Sequence, residues 1–258
     1  MYATVFHYKL FYILIIIAIP GLLMYIPKLV KQLGDNTGKV FLFGNKSYAT
    51  VAIVAQAMLA VCIFTMAGVW LSAAINSRFV FFEAIAQGRL IAESLRYQIG
   101  PALLYGGIVG LLFVAIYYFI IRPGLSSNNR RALELFRKKI PVYSRLAFEP
   151  IFDEIVFRWG VQSILTWVAV QFFAVSDATM WVAITLTALF YGAAHLPVYR
   201  AAGADTTQLK ISATIIALYL LPSLAFGALF WKVGLASAIL GHMVFAGIVK
   251  TADTYVKT

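Results

Sequence analysis

Long uninterrupted runs of apolar residues dominate the pattern of hydrophobic and polar positions along this chain. A membrane-spanning α-helix needs about 20 consecutive apolar residues, whereas the strands of a membrane barrel are shorter and alternate in polarity. The first run is short and contains Pro20, but no small-residue cleavage site follows it, so we predict a retained helix rather than a removed signal peptide. The pattern predicts seven helices, at residues 10–26, 48–72, 101–121, 147–174, 179–196, 209–230 and 233–249.

Two segments between these runs are more polar. Residues 76–100 carry charged residues at roughly helical intervals between apolar clusters, which is typical of an interfacial amphipathic helix. A polar helix packed on the bundle is the open alternative. Residues 122–145 open with a Pro-Gly break and continue as a short helix from about Arg130 to Lys139. We therefore divide the chain into N-terminal membrane helices with the interfacial helix (1–121), a basic cytoplasmic loop (122–145) and a helical core (146–258).

The composition agrees with this pattern and excludes a soluble domain. Of the 258 residues, 62% are hydrophobic and only 12% are charged, well outside the range of soluble globular domains. The predicted fold class is all-α: a polytopic membrane helix bundle with about seven transmembrane helices and one interfacial helix. Cys62 is the single cysteine, so there is neither a disulfide framework nor a thiolate metal cluster.

The net charge of +11 follows from where the basic residues stand, and it does not indicate nucleic-acid binding. Cytoplasmic loops of membrane proteins are enriched in Lys and Arg. Seven basic residues fall in segment 122–145, namely Arg122, Arg130, Arg131, Arg137, Lys138, Lys139 and Arg145. We predict that this segment is cytoplasmic, that the amino terminus lies outside the cell membrane and that the carboxyl terminus lies inside. Anionic lipid headgroups would attract the segment; a solvated charge run is the alternative.

Four charged residues stand close together in the fourth apolar run. Ionisable groups inside a membrane are costly and normally face a bundle interior or a water-filled cavity. Glu154 and Arg158 are four positions apart, with the acid first, so we expect them to pair. Glu149 and Asp153 have the same spacing, and two crowded carboxylates favour retention of a proton, as general acid–base chemistry requires. The alternative is a buried ion-pair network that fixes the position of the helix.

Two histidines stand in otherwise apolar runs. His195 follows Gly-Ala-Ala, small residues that let a neighbouring helix approach, and His242 lies in the last run. Either histidine alone could be a packing residue that forms a hydrogen bond. In the predicted topology, however, the acidic cluster begins a helix that enters from the cytoplasm, His195 ends one that returns, and His242 lies in the cytoplasmic half of the last. The sequence thus predicts one shared site near the cytoplasmic leaflet.

Three short motifs in this order resemble those of the CPBP family, also called Abi, which contains CAAX prenyl endopeptidases and bacteriocin-processing enzymes. The motifs of that family are Glu-Glu-x-x-x-Arg, Phe-x-x-x-His and His-x-x-x-Asn, and the resemblance covers about residues 145–250. The corresponding stretches of this chain are Asp153-Glu154-x-x-x-Arg158, Tyr191-x-x-x-His195 and His242-x-x-x-Ala246.

The resemblance implies a glutamate-dependent intramembrane endopeptidase acting on a peptide or membrane-protein substrate. The first-motif acid, which is Asp153 here, and His195 would activate a water, while His242 would stabilise the oxyanion. Glu154 would be the second motif acid, Arg158 its structural ion-pair partner, and Glu149 or Glu154 an alternative base. No cofactor is implied. Zinc is the alternative, since a carboxylate and two histidines can bind it, but no His-Glu-x-x-His helix is present.

Two departures from the motifs keep other functions open. Asp153 is one methylene shorter than the Glu of the family, and a 1 Å misplacement can cost about a hundredfold in rate. Ala246 replaces the Asn and cannot donate to an oxyanion, a loss that typically costs on the order of 10²–10³ in rate. A catalytically inactive CPBP-like scaffold or binding protein is therefore the alternative. A transporter with a carboxylate–histidine proton relay is a third, weakened by the absence of a visible repeat.

Overall fold

The computed structural model describes residues 7–20, 22, 46–71, 80–89 and 91–256, and this part of the chain contains only helices and turns. We number the helices in chain order. They are α1 (Tyr8–Pro20), α2 (Lys46–Leu71), α3 (Val80–Ala86), α4 (Ile91–Gly124), α5 (Ser127–Lys139), α6 (Ser144–Phe172), α7 (Asp177–Ala194), α8 (Leu196–Ala201), α9 (Leu209–Lys232) and α10 (Leu235–Tyr255).

Six stretches of these helices are long and apolar enough to cross a membrane, which confirms the predicted all-α polytopic bundle. Five of them belong to α2, α4, α6, α9 and α10. The sixth runs through α7 and α8, from Asp177 to Ala201. Helix α1 stands where the first of seven spans was predicted, but its described length is only Tyr8–Pro20. Apart from Leu22, the remainder of the predicted run 10–26 lies outside the described residues.

The predicted interfacial helix at residues 76–100 is divided into two elements. Helix α3 ends at Ala86, and Gly88 follows it with a φ of +66°, a left-handed conformation that glycine adopts without a Cβ penalty. Helix α4 begins at Ile91, ten residues before the predicted start of the third span, so Glu93 and Arg96 belong to its first turns. Charges at helical spacing are compatible with one interfacial helix and with two consecutive helices. The backbone turn at Gly88 divides the segment into α3 and α4. Arg78 lies outside the described residues.

Glycines allow the helices around α6 and α10 to approach closely. On α4, a Cβ at Gly106 would overlap the carbonyl oxygen of Gly241 on α10, and one at Gly110 would lie 2.9 Å from Ile248. Within a membrane, helices associate through such close van der Waals contacts because lipid supplies no hydrophobic driving force between them. The extensive α4–α10 contact therefore fixes the position of α10, which carries His242 next to Gly241.

Helix α2 supports α6 in the same way. A Cβ at Gly68 would overlap Trp159, and one at Gly160 would overlap Phe64. The buried indole Nε1 of Trp159 also donates a hydrogen bond to the carbonyl oxygen of Thr65 at 3.1 Å. These contacts hold the middle of α6, a few residues after its acidic cluster.

A buried polar network attaches α5 to the ends of α4 and α10. Arg137 donates two hydrogen bonds to Asp253, at 2.9 and 3.1 Å, and Tyr118 on α4 donates one to the same carboxylate at 2.6 Å. Burial of Arg137 opposes its charge, but the carboxylate of Asp253 outweighs burial and raises the pKa of Arg137 above its ordinary value. Helix α5 is thus anchored by its inner face, and its outer face remains exposed.

Replacement of Gly106 by Ala tests the close approach of α4 and α10. We expect Gly106→Ala to destabilise the purified protein by about 1–3 kcal/mol, because the added methyl group forces the two backbones apart. Gly107→Ala is the matched control, since no atom outside its own helix lies within 4 Å of a Cβ at that position. Unfolding curves in detergent give the comparison. Equal stabilities of the two variants would contradict the role of Gly106.

Candidate active site

The acidic cluster of α6 lies where the helix changes its geometry. Residues Glu149–Asp153 are α-helical, and they lie between π-helical stretches at Ser144–Phe148 and Glu154–Gln162. π-helical turns are rare and occur frequently at functional sites. Asp153 and Glu154 occupy the second of these junctions, and both side chains are buried.

Glu154 is the most enclosed charged residue of the cluster, with an exposed fraction of 0%. Its Oε1 lies 2.8 Å from Nδ1 of His242, and its Oε2 lies 3.2 Å from Nε of Arg158. The pair with Arg158 has the distance of an ion pair without the alignment of a hydrogen bond. The pairing of Glu154 with Arg158 agrees with the helical spacing, and His242 is an additional partner. Arg158 is the neighbour that compensates a negative charge on Glu154.

Asp153 is connected to α7 through a tyrosine hydroxyl. The hydroxyl of Tyr191 donates a hydrogen bond to Oδ2 of Asp153 at 2.7 Å. The ring of Tyr191 packs edge-on against Phe157 and His195, with centroid distances of 4.9 and 4.7 Å, and the guanidinium carbon of Arg158 lies 5.2 Å from its centroid. The donor is therefore held in a single orientation by its neighbours.

His195 stands at the end of α7 and is only partly buried. Its Nδ1 lies 2.8 Å from the carbonyl oxygen of Tyr191. A carbonyl only accepts hydrogen bonds, so Nδ1 carries the proton and Nε2 of the neutral ring has a lone pair. The imidazole stacks on Tyr219 of α9 at 3.7 Å, and the hydroxyl of Tyr219 is hydrogen-bonded to that of Tyr199 at 2.6 Å. This arrangement presents Nε2 as a base.

Glu149 has a partner that the spacing of the acids did not indicate. Arg145 donates to both oxygens of its carboxylate, at 2.8 and 3.0 Å. Arg145 was predicted to belong to the basic loop 122–145, but α6 begins at Ser144 and includes it. Glu149 is consequently charge-paired within its own helix, and crowding against Asp153 is not its dominant interaction.

The site joins three helices through two acid–histidine connections. Asp153 of α6 is linked to His195 of α7 through Tyr191, and Glu154 of α6 contacts His242 of α10 directly. The hydroxyl of Tyr191 and the ring of Tyr219 were not predicted to belong to the site. A tyrosine where the motif has phenylalanine was a visible signal for the first, whereas Tyr219 stands in an ordinary apolar run.

Zinc requires about three protein ligands directed at one point. Within the described ranges, no three His, Cys, Asp or Glu side chains are arranged in this way. Nδ1 of His195 faces a carbonyl oxygen and Nδ1 of His242 faces Glu154. Among the residues that the structure describes, zinc therefore has no three-ligand cluster.

These features define a class: a polytopic α-helical membrane protein with a buried carboxylate–histidine site. Residues 140–248 match the family model described as type II CAAX prenyl endopeptidase Rce1-like. This segment, which is less than half of the chain, is similar to that family; the match agrees with the CPBP resemblance and supports a membrane protease-like function. Searches of curated proteins and of solved structures found no match.

Removal of the Glu154 carboxylate tests its role in compensating charge. We expect Glu154→Ala to destabilise the protein by about 3–5 kcal/mol, because Arg158, which is 1% exposed, keeps a buried charge without its partner. Asp177→Ala is the control, since the Asp177–Lys232 pair is 80% and 56% exposed and such pairs contribute less than about 1 kcal/mol. Denaturant unfolding in detergent measures both, and a small loss for Glu154→Ala would refute this interpretation.

Proposed function

We propose that the protein is an intramembrane endopeptidase that cleaves a peptide or membrane protein near the cytoplasmic leaflet of the cell membrane. The observation that carries the proposal is the contact of Asp153 with Tyr191 beside His195, together with the contact of Glu154 with His242. Residues of all three family motifs thereby belong to one cluster. The match to the Rce1-like family model supports the same function.

In the proposed reaction, water is the nucleophile. Asp153 and the lone pair on Nε2 of His195 hold the water, and the carboxylate takes its proton as the oxygen attacks the carbonyl carbon of the peptide bond. A bond forms between the water oxygen and that carbon, and the proton passes to the leaving amine when the carbon–nitrogen bond breaks. The products are a carboxylic acid and an amine, and the base is regenerated.

His242 and Glu154 stabilise the negative charge that develops on the carbonyl oxygen. Nδ1 of His242 contacts Glu154, and in the proposed step the Nε2–H of the same ring donates to the oxyanion. Arg158 holds Glu154 in position from the same helix. The mechanism uses these side chains and no metal.

An inactive scaffold is the second candidate, and a specific residue favours it. Ala246 is 1% exposed and stands where the family motif has an amide donor. An oxyanion in this site would have His242 as its donor from α10 and no amide beside it. Catalysis therefore requires that His242 stabilise the oxyanion without a neighbouring amide. Analysis of protein termini distinguishes a peptidase from an inactive scaffold.

Comparison of the termini of membrane proteins by mass spectrometry tests catalysis. In a deletion strain, we expect the wild-type gene to restore defined new termini, while Asp153→Asn and His195→Ala at equal protein levels restore none. These substitutions remove the proposed base and its partner. Asp177→Asn and His7→Ala are matched controls, because both residues are exposed and outside the site, and they should behave as wild type. Full complementation by Asp153→Asn without new termini would favour the scaffold.

We also propose that anionic lipids bind the outer face of α5. This face lines a surface pocket of about 390 Å³, formed by Ser127, Arg130, Arg131, Glu134, Leu135 and Lys138. Glu134 is already paired with Arg122 at 2.7 Å, whereas Arg130 and Arg131 form no ion pair with the described residues. The backbone N–H of Asp205 donates to Asn129 of α5, so the pocket is at the same end of the bundle as the loop after His195. The chemistry fits the phosphate of a lipid headgroup.

A charge-matched pair of double variants tests lipid binding. We expect Arg130→Gln/Arg131→Gln to lower the affinity for phosphatidylglycerol about thirtyfold, since each basic residue near an anionic membrane surface contributes about 1 kcal/mol. Arg89→Gln/Arg96→Gln removes the same charge around the opposite end of α4 and should retain wild-type affinity. Native mass spectrometry of lipid titrations provides the measurement, with soluble inorganic phosphate as a competitor. Equal losses in the two double variants would argue against a site on α5.

A further inference from the structure

Two positions at which this chain differs from the family motifs are in direct contact. The first motif has Asp153 in place of Glu, and the second has Tyr191 in place of Phe. The hydroxyl that distinguishes Tyr from Phe is the group that donates to the shortened carboxylate at 2.7 Å. We infer that Tyr191 is a positioning residue that holds the Asp153 carboxylate for the reaction. This inference rests on the proposed function.

The surroundings of Tyr191 make its hydroxyl a fixed donor. Its ring is buried and is packed edge-on by Phe157 on one helix and His195 on its own. A side chain locked by packing restricts the groups to which it is hydrogen-bonded, and such support keeps a reactive group within the small tolerance that catalysis allows. The Asp153 carboxylate is therefore oriented from α7 and not from its own helix alone.

The length of the side chain explains why the two differences belong together. An additional methylene extends a carboxylate by about 1.5 Å. A glutamate at position 153 would carry its carboxylate toward the volume that the Tyr191 hydroxyl occupies, whereas a phenylalanine at position 191 would leave that volume empty. We therefore expect aspartate with tyrosine, or glutamate with phenylalanine, to fill this volume, and a mixture of them to overfill it or leave it empty.

Tyr191 also orients the second member of the proposed base. Its carbonyl oxygen accepts the hydrogen bond from Nδ1 of His195, which directs the lone pair to Nε2. The side chain of one residue therefore positions Asp153 while its backbone positions His195. Substitution of the side chain removes the first of these interactions and leaves the second in place.

A double-mutant cycle on purified protein in liposomes tests the inference, with cleavage of a substrate identified by its new terminus. The variants are Tyr191→Phe, Asp153→Glu and the two combined. We expect each single variant to lose tenfold or more in kcat with little change in KM. The combined variant should exceed the product of the two single activities by at least tenfold, since it restores a complete arrangement.

Tyr118→Phe is the matched control. It removes an equivalent tyrosine–carboxylate hydrogen bond, to Asp253, outside the site, and it should keep activity within twofold of wild type. Its thermal midpoint shows how much the loss of such a bond lowers stability. Asp153→Glu keeps Tyr191 and tests the same pairing if Tyr191→Phe folds poorly.

The outcomes separate the inference from the function on which it rests. Wild-type activity in Tyr191→Phe or in Asp153→Glu overturns the positioning role, and so does a combined activity equal to the product of the single ones. Cleavage by wild type is observed in each of those cases. A wild-type protein that cleaves nothing overturns the proposed function and this inference with it.

Discussion

Compensation of the Glu154 charge inside a membrane bundle is the constraint on which the rest of the structure depends. A carboxylate with no exposed surface must find its counter-charge within the protein, because lipid offers none. Arg158 supplies that charge from the same helix, and His242 supplies a polar contact from α10. Helices α6 and α10 must therefore pack in a register that brings Glu154 and His242 into contact. The close packing of α4 against Gly241 and of α2 against Trp159 holds the two helices in that register.

Small residues and polar residues have complementary tasks in this bundle. Glycines such as Gly106 and Gly160 allow backbones to approach, which yields van der Waals contact without specifying which polar atoms meet. The hydrogen bond from Tyr191 to Asp153 and the contact between Glu154 and His242 then select one register among the arrangements that close packing permits. Specificity in the site thus depends on a few polar contacts that close packing brings within reach.

The sequence predicted the membrane spans and the convergence of the motif residues better than it predicted their partners. Apolar runs indicate spans because lipid demands them, and the spacing of Glu154 and Arg158 indicated their pairing. The start of α4 at Ile91 was missed, since Glu93 and Arg96 read as interfacial although they begin a spanning helix. Arg145 was assigned to a loop because basic residues next to a span are typical of cytoplasmic loops, although it lies in the first turn of α6. Contacts between distant segments, such as Tyr219 with His195, have no local signal in the sequence.

The π-helical stretch Glu154–Gln162 changes the direction in which the side chains of α6 point around the helix axis. Each residue of a regular α-helix advances the chain by about 100° around the axis. A π-helical turn contains more residues than an α-helical turn, so each of its residues advances the chain by a smaller angle. Asp153 stands directly before this stretch and Trp159 lies within it, so the π-helical geometry sets the direction of Trp159, which packs against α2, relative to Asp153. Loss of a single residue from this stretch would rotate one half by roughly 100° against the other. The chain length between Asp153 and Trp159 is therefore as tightly constrained as the identity of either residue.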